Sequence, residues 1–275
     1  MSERSITTDD GVRLWTRSDG DPDAPALLLI NSLGTDLSMW DPQIAAWSEF
    51  RRVVRFDQRG HGRSSCPPPP YTVEQFGRDA LAVLDAHEVA AADICGLSLG
   101  GIVALWVAAT APERIERAVF ADTAARVGTE AGWRERAATV RADGMGAITD
   151  LVLARFFSPD FLRSGHASVT ALDRTLRAAS VDGYTGSCEA LATADLTGLA
   201  TSVRAPSLVM VGGADEATPP ADARALHALI PDARLIELPG AGHLANLERP
   251  ERFGQVVRAF LTRQPVPDEE VVRRA

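Results

Sequence analysis

Cysteine is scarce in this chain of 275 residues, with one each at positions 66, 95 and 188. Three thiols build no disulfide framework, and no Cys-x-x-Cys or His-x-x-x-His spacing offers a structural metal site. Free thiols suit a reducing compartment. The opening Met1-Ser2-Glu3-Arg4 has no apolar signal core behind it, so the expected location is cytoplasmic. No apolar run approaches the roughly 20 residues a membrane span needs. An excess of positive charge is missing too: 28 Lys plus Arg stand against 37 Asp plus Glu, a net charge of -9. That balance argues against a nucleic-acid partner and disfavours an anionic membrane surface. An anionic substrate would have to be met by a local cluster of Arg or Lys. There are no internal repeats.

The residues present are those of an ordinary globular protein. Hydrophobic residues make up 45% and charged residues 24%, and the length fits one large domain or one domain carrying an insertion. The chain is organised around Ile94-Cys95-Gly96-Leu97-Ser98-Leu99-Gly100-Gly101. An apolar run from Ala91 to Cys95 feeds into it, and a helical run from Ile102 to Ala109 leaves it. A Gly-x-Ser-x-Gly turn between a buried strand and a helix is a nucleophile elbow. The pattern alone arises by chance, so the weight falls on that context and on partners elsewhere.

Taken in order, Ser5 to Thr8 and Val12 to Trp15 predict a hairpin across Asp9-Asp10-Gly11. Ala26 to Ile30, Val53 to Phe56, Ala118 to Ala121, Ser207 to Val211 and Ala233 to Leu238 predict further strands. Asp41-Pro42 predicts a helix start with Asp41 as its cap, and Thr72 with Gln75 predicts a capping box. Between about Arg126 and Asp195 only helical pattern is found, over Trp133 to Arg141, Ala147 to Phe157, Ala167 to Ala179 and Tyr184 to Ala192. The expected class is therefore α/β, a mostly parallel doubly wound sheet with an all-helical cap inserted. The expected division is core over 1–125, cap over 126–196, core again over 197–263 and a polar tail over 264–275.

In such sheets ligands sit past the carboxyl ends of the strands. Asn31 to Leu33, Ser98, Asp215 and His243 all fall there. A serine hydroxyl needs a base, and the base needs an orienting carboxylate. The order Ser98, Asp215, His243 is the order of the hydrolase-fold triad. His243 lies in Gly240-Ala241-Gly242-His243, a loop that lets a mobile imidazole reach Ser98. Asp122 and Glu216 are the rival acids. His87, His166 and His227 read as ordinary helix residues, and His61 as a structural loop residue. The oxyanion needs two donors, expected from the backbone N–H groups of Leu99 and Leu33, with Gly34 letting that backbone fold close over the serine.

Asp57-Gln58-Arg59-Gly60-His61-Gly62-Arg63-Ser64, the elbow and Gly242-His243 together resemble the α/β-hydrolase family. Asn31 through Trp40, Asp122 through Gly128, and Gly183-Tyr184 through Cys188-Glu189-Ala190 to Ala194-Asp195-Leu196 resemble, more narrowly, the 3-oxoadipate enol-lactonases. Most hydrolases of this fold carry His-Gly where this chain has Asn31-Ser32. The resemblance runs from about residue 5 to 263. It implies hydrolysis of 3-oxoadipate enol-lactone in the β-ketoadipate pathway, with no cofactor and no metal. The alternatives are a carboxylesterase, a carbon–carbon bond hydrolase or a perhydrolase of the same fold, or a non-catalytic small-molecule receptor. A homo-oligomer stays open. The helical cap should roof the pocket and supply a cation for the substrate carboxylate. Trp133 and Arg136, one helical turn apart, are the expected ring and carboxylate contacts, with Arg126 and Arg134 as rivals.

Overall fold

A computed structural model describes residues 2–265. The expected polar tail therefore lies, from residue 266 on, outside the described residues. Eight strands form one sheet in the order β1-β2-β4-β3-β5-β6-β7-β8. β1 (Ser2–Thr7) and β2 (Arg13–Asp19) make the expected antiparallel hairpin. β2 also runs antiparallel to β4 (Arg52–Phe56), and every other pairing is parallel. β3 (Ala26–Ile30), β5 (Ala92–Leu97) and β7 (Ser207–Gly212) are buried along their whole length. That is why they read as largely apolar runs and not as alternating ones; the one charge, Asp93 in β5, is paired with Arg51 at 2.9 Å. β6 (Ile115–Ala121) lies between β5 and β7, and β8 (Ala233–Leu238) closes the edge.

Helices cover both faces of the sheet. α1 (Asp41–Trp47) is followed by α2 (Val73–Ala86), which carries the expected Thr72–Gln75 capping box, and by α3 (Leu99–Thr110). Asp41 does not cap α1. It is the first helical residue, and its carboxylate takes a hydrogen bond from the buried Arg55 guanidinium. Asp36 instead caps the short turn just before, accepting from Ser38 N–H at 2.9 Å.

Between β6 and β7 come α4 (Glu130–Asp143), α5 (Gly146–Phe156), α6 (Pro159–Arg163), α7 (Ala167–Ala178), α8 (Val181–Thr193) and the short α9 (Thr197–Ala200). α6 was not legible in the sequence: it is five residues long, too short for an apolar period, and is set only by Ser158 as its cap and Pro159 at its first turn. α10 (Pro220–Leu229), α11 (Ala245–Glu248) and α12 (Pro250–Leu261) are the last helices among the described residues, α12 packing on α1. Strand order reverses between β3 and β5, so the loops after these two strands open a crevice at the switch point. Among the described residues no helix is long and apolar enough to cross a membrane.

Candidate active site

The loop after β5 turns so sharply that Ser98 sits at φ 59°, ψ −116°. A residue with a Cβ is strained at that φ, and here the surroundings enforce it. A Cβ on Gly96 would lie 2.0 Å from Gly100 O, and one on Gly100 would lie 2.2 Å from Ile30 O. The two glycines thus let β5, α3 and the end of β3 meet. Ser98 N–H donates to Ala121 O at 3.0 Å, and Thr123 Oγ1 donates to Ser98 O at 2.8 Å. The backbone is pinned on both sides while the side-chain hydroxyl makes no hydrogen bond among the described residues.

Past β8, His243 is fully buried and its Nδ1 lies 2.8 Å from Asp215 Oδ2, past β7. Asp215 also accepts from Ala217 N–H (2.7 Å), Thr218 N–H (2.9 Å) and Thr218 Oγ1 (2.8 Å). Burial works to raise the Asp215 pKa, but the charge and hydrogen bond of His243 and the two Thr218 donors outweigh it, and the carboxyl is held below its ordinary value. A carboxylate accepting at Nδ1 keeps the proton there, so Nε2 is left with its lone pair. Nε2 is buried and has no hydrogen-bond partner among the described residues. The rival acids are placed otherwise. Asp122 accepts from Gly212 N–H at 2.8 Å, and burial together with nearby Asp215 pushes its pKa well up. Glu216 is exposed.

The loop holding His243 is not slack. A Cβ on Gly242 would fall 2.5 Å from Glu248 Oε1 and 2.6 Å from Ser158 N, and Leu244 N–H donates to Phe156 O at 3.0 Å. The glycine allows close packing against the end of α5; it does not provide freedom for the imidazole. The Phe156 ring lies against that of His243, centroids 5.0 Å apart. Gly34 differs from expectation in the same way. Its φ is +76°, and a Cβ there would strike Leu176 at 2.7 Å and Tyr184 at 3.1 Å. It lets the inserted helices close down on the loop after β3. Leu33 N–H donates to no protein group among the described residues, and Leu99 N–H is the first of α3, with no helical acceptor behind it.

One cavity of about 240 Å³ joins these parts. Leu33, Ser98 and His243 line its base, while Trp133, Arg136, Val152, Arg155 and Phe156 line its roof. Asp215 stands behind His243 and does not line it. Trp133 Nε1 donates to Val127 O at 2.6 Å, and the Arg136 guanidinium lies 5.0 Å from the Trp133 ring centre. The rivals Arg126 and Arg134 are exposed and paired, Arg126 with Asp195 at 3.7 Å and Arg134 with Glu130 at 2.7 Å.

The chain contains no lysine, so every cation of its long side chains is an arginine. Arg155 is the residue the sequence reading missed. It also lines the cavity, and its guanidinium donates to Glu216 O at 3.3 Å. Among the described residues neither Arg136 nor Arg155 has a carboxylate partner. The available signal was the position of Arg155 in the last turn of an amphipathic inserted helix, which also fits a plain surface arginine.

The family described as alpha/beta hydrolase fold matches residues 25–250. The 3-oxoadipate enol-lactonase 2 of Acinetobacter baylyi is 39% identical over 244 residues, which is 89% of this chain and 91% of that protein. The crystal structure of an enol-lactonase from Burkholderia xenovorans superposes with a TM-score of 0.92 at 41% identity, covering 94% of this chain and all of that one. A thermophilic esterase from Thermogutta terrifontis, solved with malate bound, gives a TM-score of 0.89 at 27% identity over 96% of this chain and 99% of that one. With a serine elbow, a His–Asp pair and relatives that agree over nearly the whole length, this chain belongs to the α/β-hydrolase family and is a carboxylic ester hydrolase similar to the 3-oxoadipate enol-lactonases.

Proposed function

We propose that this enzyme opens a small carboxylated lactone, 3-oxoadipate enol-lactone, to 3-oxoadipate in the β-ketoadipate pathway of aromatic breakdown. The observation that carries the substrate class is the pair of arginines without carboxylate partners, Arg136 and Arg155, facing one small cavity with Ser98 and His243. A protein of net charge -9 repels a carboxylated molecule at long range, so attraction must come from short-range cations. Likeness to the Acinetobacter baylyi lactonase supports the ring, and the Thermogutta terrifontis esterase was solved with malate, a dicarboxylate, bound.

Ser98 Oγ attacks the lactone carbonyl as its proton passes to His243 Nε2. Asp215, accepting at Nδ1, holds the imidazole in the tautomer that can take that proton and stabilises the imidazolium. The N–H groups of Leu33 and Leu99 receive the oxyanion. The ring C–O bond then breaks and expels an enolate, a far better leaving group than an alkoxide, which takes its proton back from His243 and becomes the ketone. Water, deprotonated by His243, attacks the acyl-Ser98 ester and releases a second carboxylate. Each turnover consumes one water and delivers one proton to solvent. The helices of 126–196 act as the cap domain over the core of 1–125 and 197–263, with Trp133 against the ring and Arg136 on the carboxylate. The three free thiols fit a cytoplasmic home.

Turnover of the enol-lactone beside p-nitrophenyl acetate and butyrate tests the reading. The lactone should be preferred in kcat/KM by about ten- to a hundredfold, the scale of one charge-assisted contact. Equal or better turnover of the neutral esters would return the protein to the general esterases.

A further inference from the structure

The loop after β4, residues 57–64, grips the segment after β3 at two points. Gln58 Nε2 donates to Asn31 O at 3.0 Å, and Gly34 N–H donates to His61 Nε2 at 3.1 Å. Leu33 lies between these two grips. The His61 ring is buried, and its Nδ1 faces Arg59 O at 3.1 Å. A carbonyl oxygen only accepts, so the ring proton belongs on Nδ1, and Nε2 keeps the lone pair that Gly34 N–H requires. Moving the proton to Nε2, or protonating the ring, would set N–H against N–H. Burial lowers the His61 pKa against a weaker upward pull from the Arg59 carbonyl and the Asp36 carboxylate, which keeps the ring neutral. Nothing in the mechanism above uses this histidine.

We propose that His61 is a positioning residue for the oxyanion hole: its Nε2, held as an acceptor by the bond from Nδ1 to Arg59 O, fixes the Leu33–Gly34 peptide, the unit that adjoins the Ser32–Leu33 peptide bearing the Leu33 N–H, and so restricts the direction of that N–H. This rests on the reading of Leu33 as an oxyanion donor. The Ser32–Leu33 peptide is held from within the loop as well, Ser32 O accepting from Thr35 N–H at 3.3 Å and from Thr35 Oγ1 at 2.8 Å, whereas the N–H of the Leu33–Gly34 peptide is held by His61. Gly34 sits at φ +76°, a residue without a Cβ has the widest choice of backbone conformations, and the cap side chains Leu176 and Tyr184 press on it from above. A donor aimed at a developing charge contributes only when its direction is set beforehand. His61 supplies that direction from the core side, independently of substrate. Gln58 holds the Asn31–Ser32 peptide on the other side of the unit bearing the Leu33 N–H.

His61→Phe keeps a ring of similar size and removes the acceptor. His61→Gln places an amide oxygen near the position of Nε2. With p-nitrophenyl acetate, which needs an oxyanion hole and no carboxylate contact, His61→Phe should lower kcat by about ten- to a hundredfold with KM within about twofold. His61→Gln should recover most of that loss. An arylboronic acid, which forms a tetrahedral adduct on a catalytic serine, should lose affinity in His61→Phe by about the factor lost in kcat. A kcat for His61→Phe within twofold of the parent, or a His61→Gln no better than His61→Phe, would overturn the proposal. Should His61→Phe fail to fold, 15N-histidine NMR of the unaltered protein decides: an Nδ1–H tautomer is expected, and an Nε2–H tautomer is incompatible with it. Ser98→Ala separates the two readings, because activity surviving there breaks the catalytic assignment itself, whereas a dead Ser98→Ala beside a normal His61→Phe breaks only the role of His61.

Discussion

The sheet with its loops and the inserted helices above it are built on different principles. Among the described residues, every charged side chain that is buried belongs to the sheet part, including Arg55, Asp57, Arg59, Asp93, Asp122 and Glu248; residues 126–196 bury none. In the sheet part these groups are satisfied by directed bonds, such as the two of 2.7 Å from Arg59 to Asp79. Charge pairs of the inserted helices lie near the surface, as in Arg177 with Asp150 and Arg141 with Glu189. An unsatisfied buried polar group costs about 1–3 kcal/mol, so a network of them tolerates few alternative geometries. Apolar packing and surface ion pairs are not directional and permit small shifts. The base of the cavity can therefore fix reacting atoms, and the roof can vary in what it admits.

If that division holds, changes in the base should damage every reaction and changes in the roof should damage only some. The largest effect belongs to Ser98→Ala, which should lower kcat at least about a thousandfold on lactone and neutral ester alike while leaving thermal stability intact. Turnover above a few per cent of the parent on any good substrate would remove Ser98 as the nucleophile.

Asp215→Asn comes next. An amide at this position lets the imidazole take the other tautomer, with its proton on Nε2 facing the serine, and kcat should fall about a thousandfold or more. Asp122→Asn should be mild on kcat, since Asp122 bonds to Gly212 and not to His243. Measuring both variants side by side settles which carboxylate orients the base: a crippled Asp122→Asn with a nearly normal Asp215→Asn would reverse the assignment.

A smaller and more selective effect is expected from the roof. Arg136→Ala should raise KM for the carboxylated lactone by about ten- to a hundredfold, the worth of one charge-assisted contact, and leave a neutral ester of similar size almost unchanged. Arg155→Ala should act in the same direction but less, because its guanidinium is already engaged by Glu216 O. Equal losses on both substrates would mean that these arginines hold the roof together and select nothing.

The same contrast explains what could be read from the sequence. The central strands were legible because full burial forces apolar runs such as Ala26 to Ile30, and Ser98, Asp215 and His243 were legible because each lies just past the end of a strand. Glycines were legible as close approaches, but not what they approach: Gly34 meets Leu176 and Tyr184, and Gly242 meets Ser158 and Glu248, all distant in sequence. Arg155 and α6 were missed, since a helix of the roof shows in sequence only which residues are amphipathic. Which arginine turns to the cavity is decided by how α4 and α5 lie on the sheet, and no local pattern encodes that.

The smallest expected effect is on stability and locates its pH dependence in the sheet part. His87 is 2% exposed, with Nε2 3.0 Å from Thr16 Oγ1. Burial pushes its pKa down to about 4, aided by the charges of Arg4 and Arg52. The unfolded chain takes up the proton near pH 6.5, so this histidine's contribution is complete above that pH and is lost as pH falls toward 4, amounting to at most about 3 kcal/mol. Asp57 acts with the opposite sign. Burial raises its pKa to about 6, against hydrogen bonds from Arg63 N–H and Leu37 N–H, so the fold is penalised as pH rises from about 4 to 6 and relieved on acidification. In the parent protein these two slopes oppose one another, and Asp79, pushed up to about 6 by burial against its bonds from Arg59, adds to that of Asp57. His87→Gln keeps a partner for Thr16 and removes the proton site. Its urea midpoint should therefore fall less than that of the parent between pH 7 and pH 5, or rise. Parallel midpoints for the two proteins at both pH values would show that His87 carries none of the dependence and that it must be sought elsewhere.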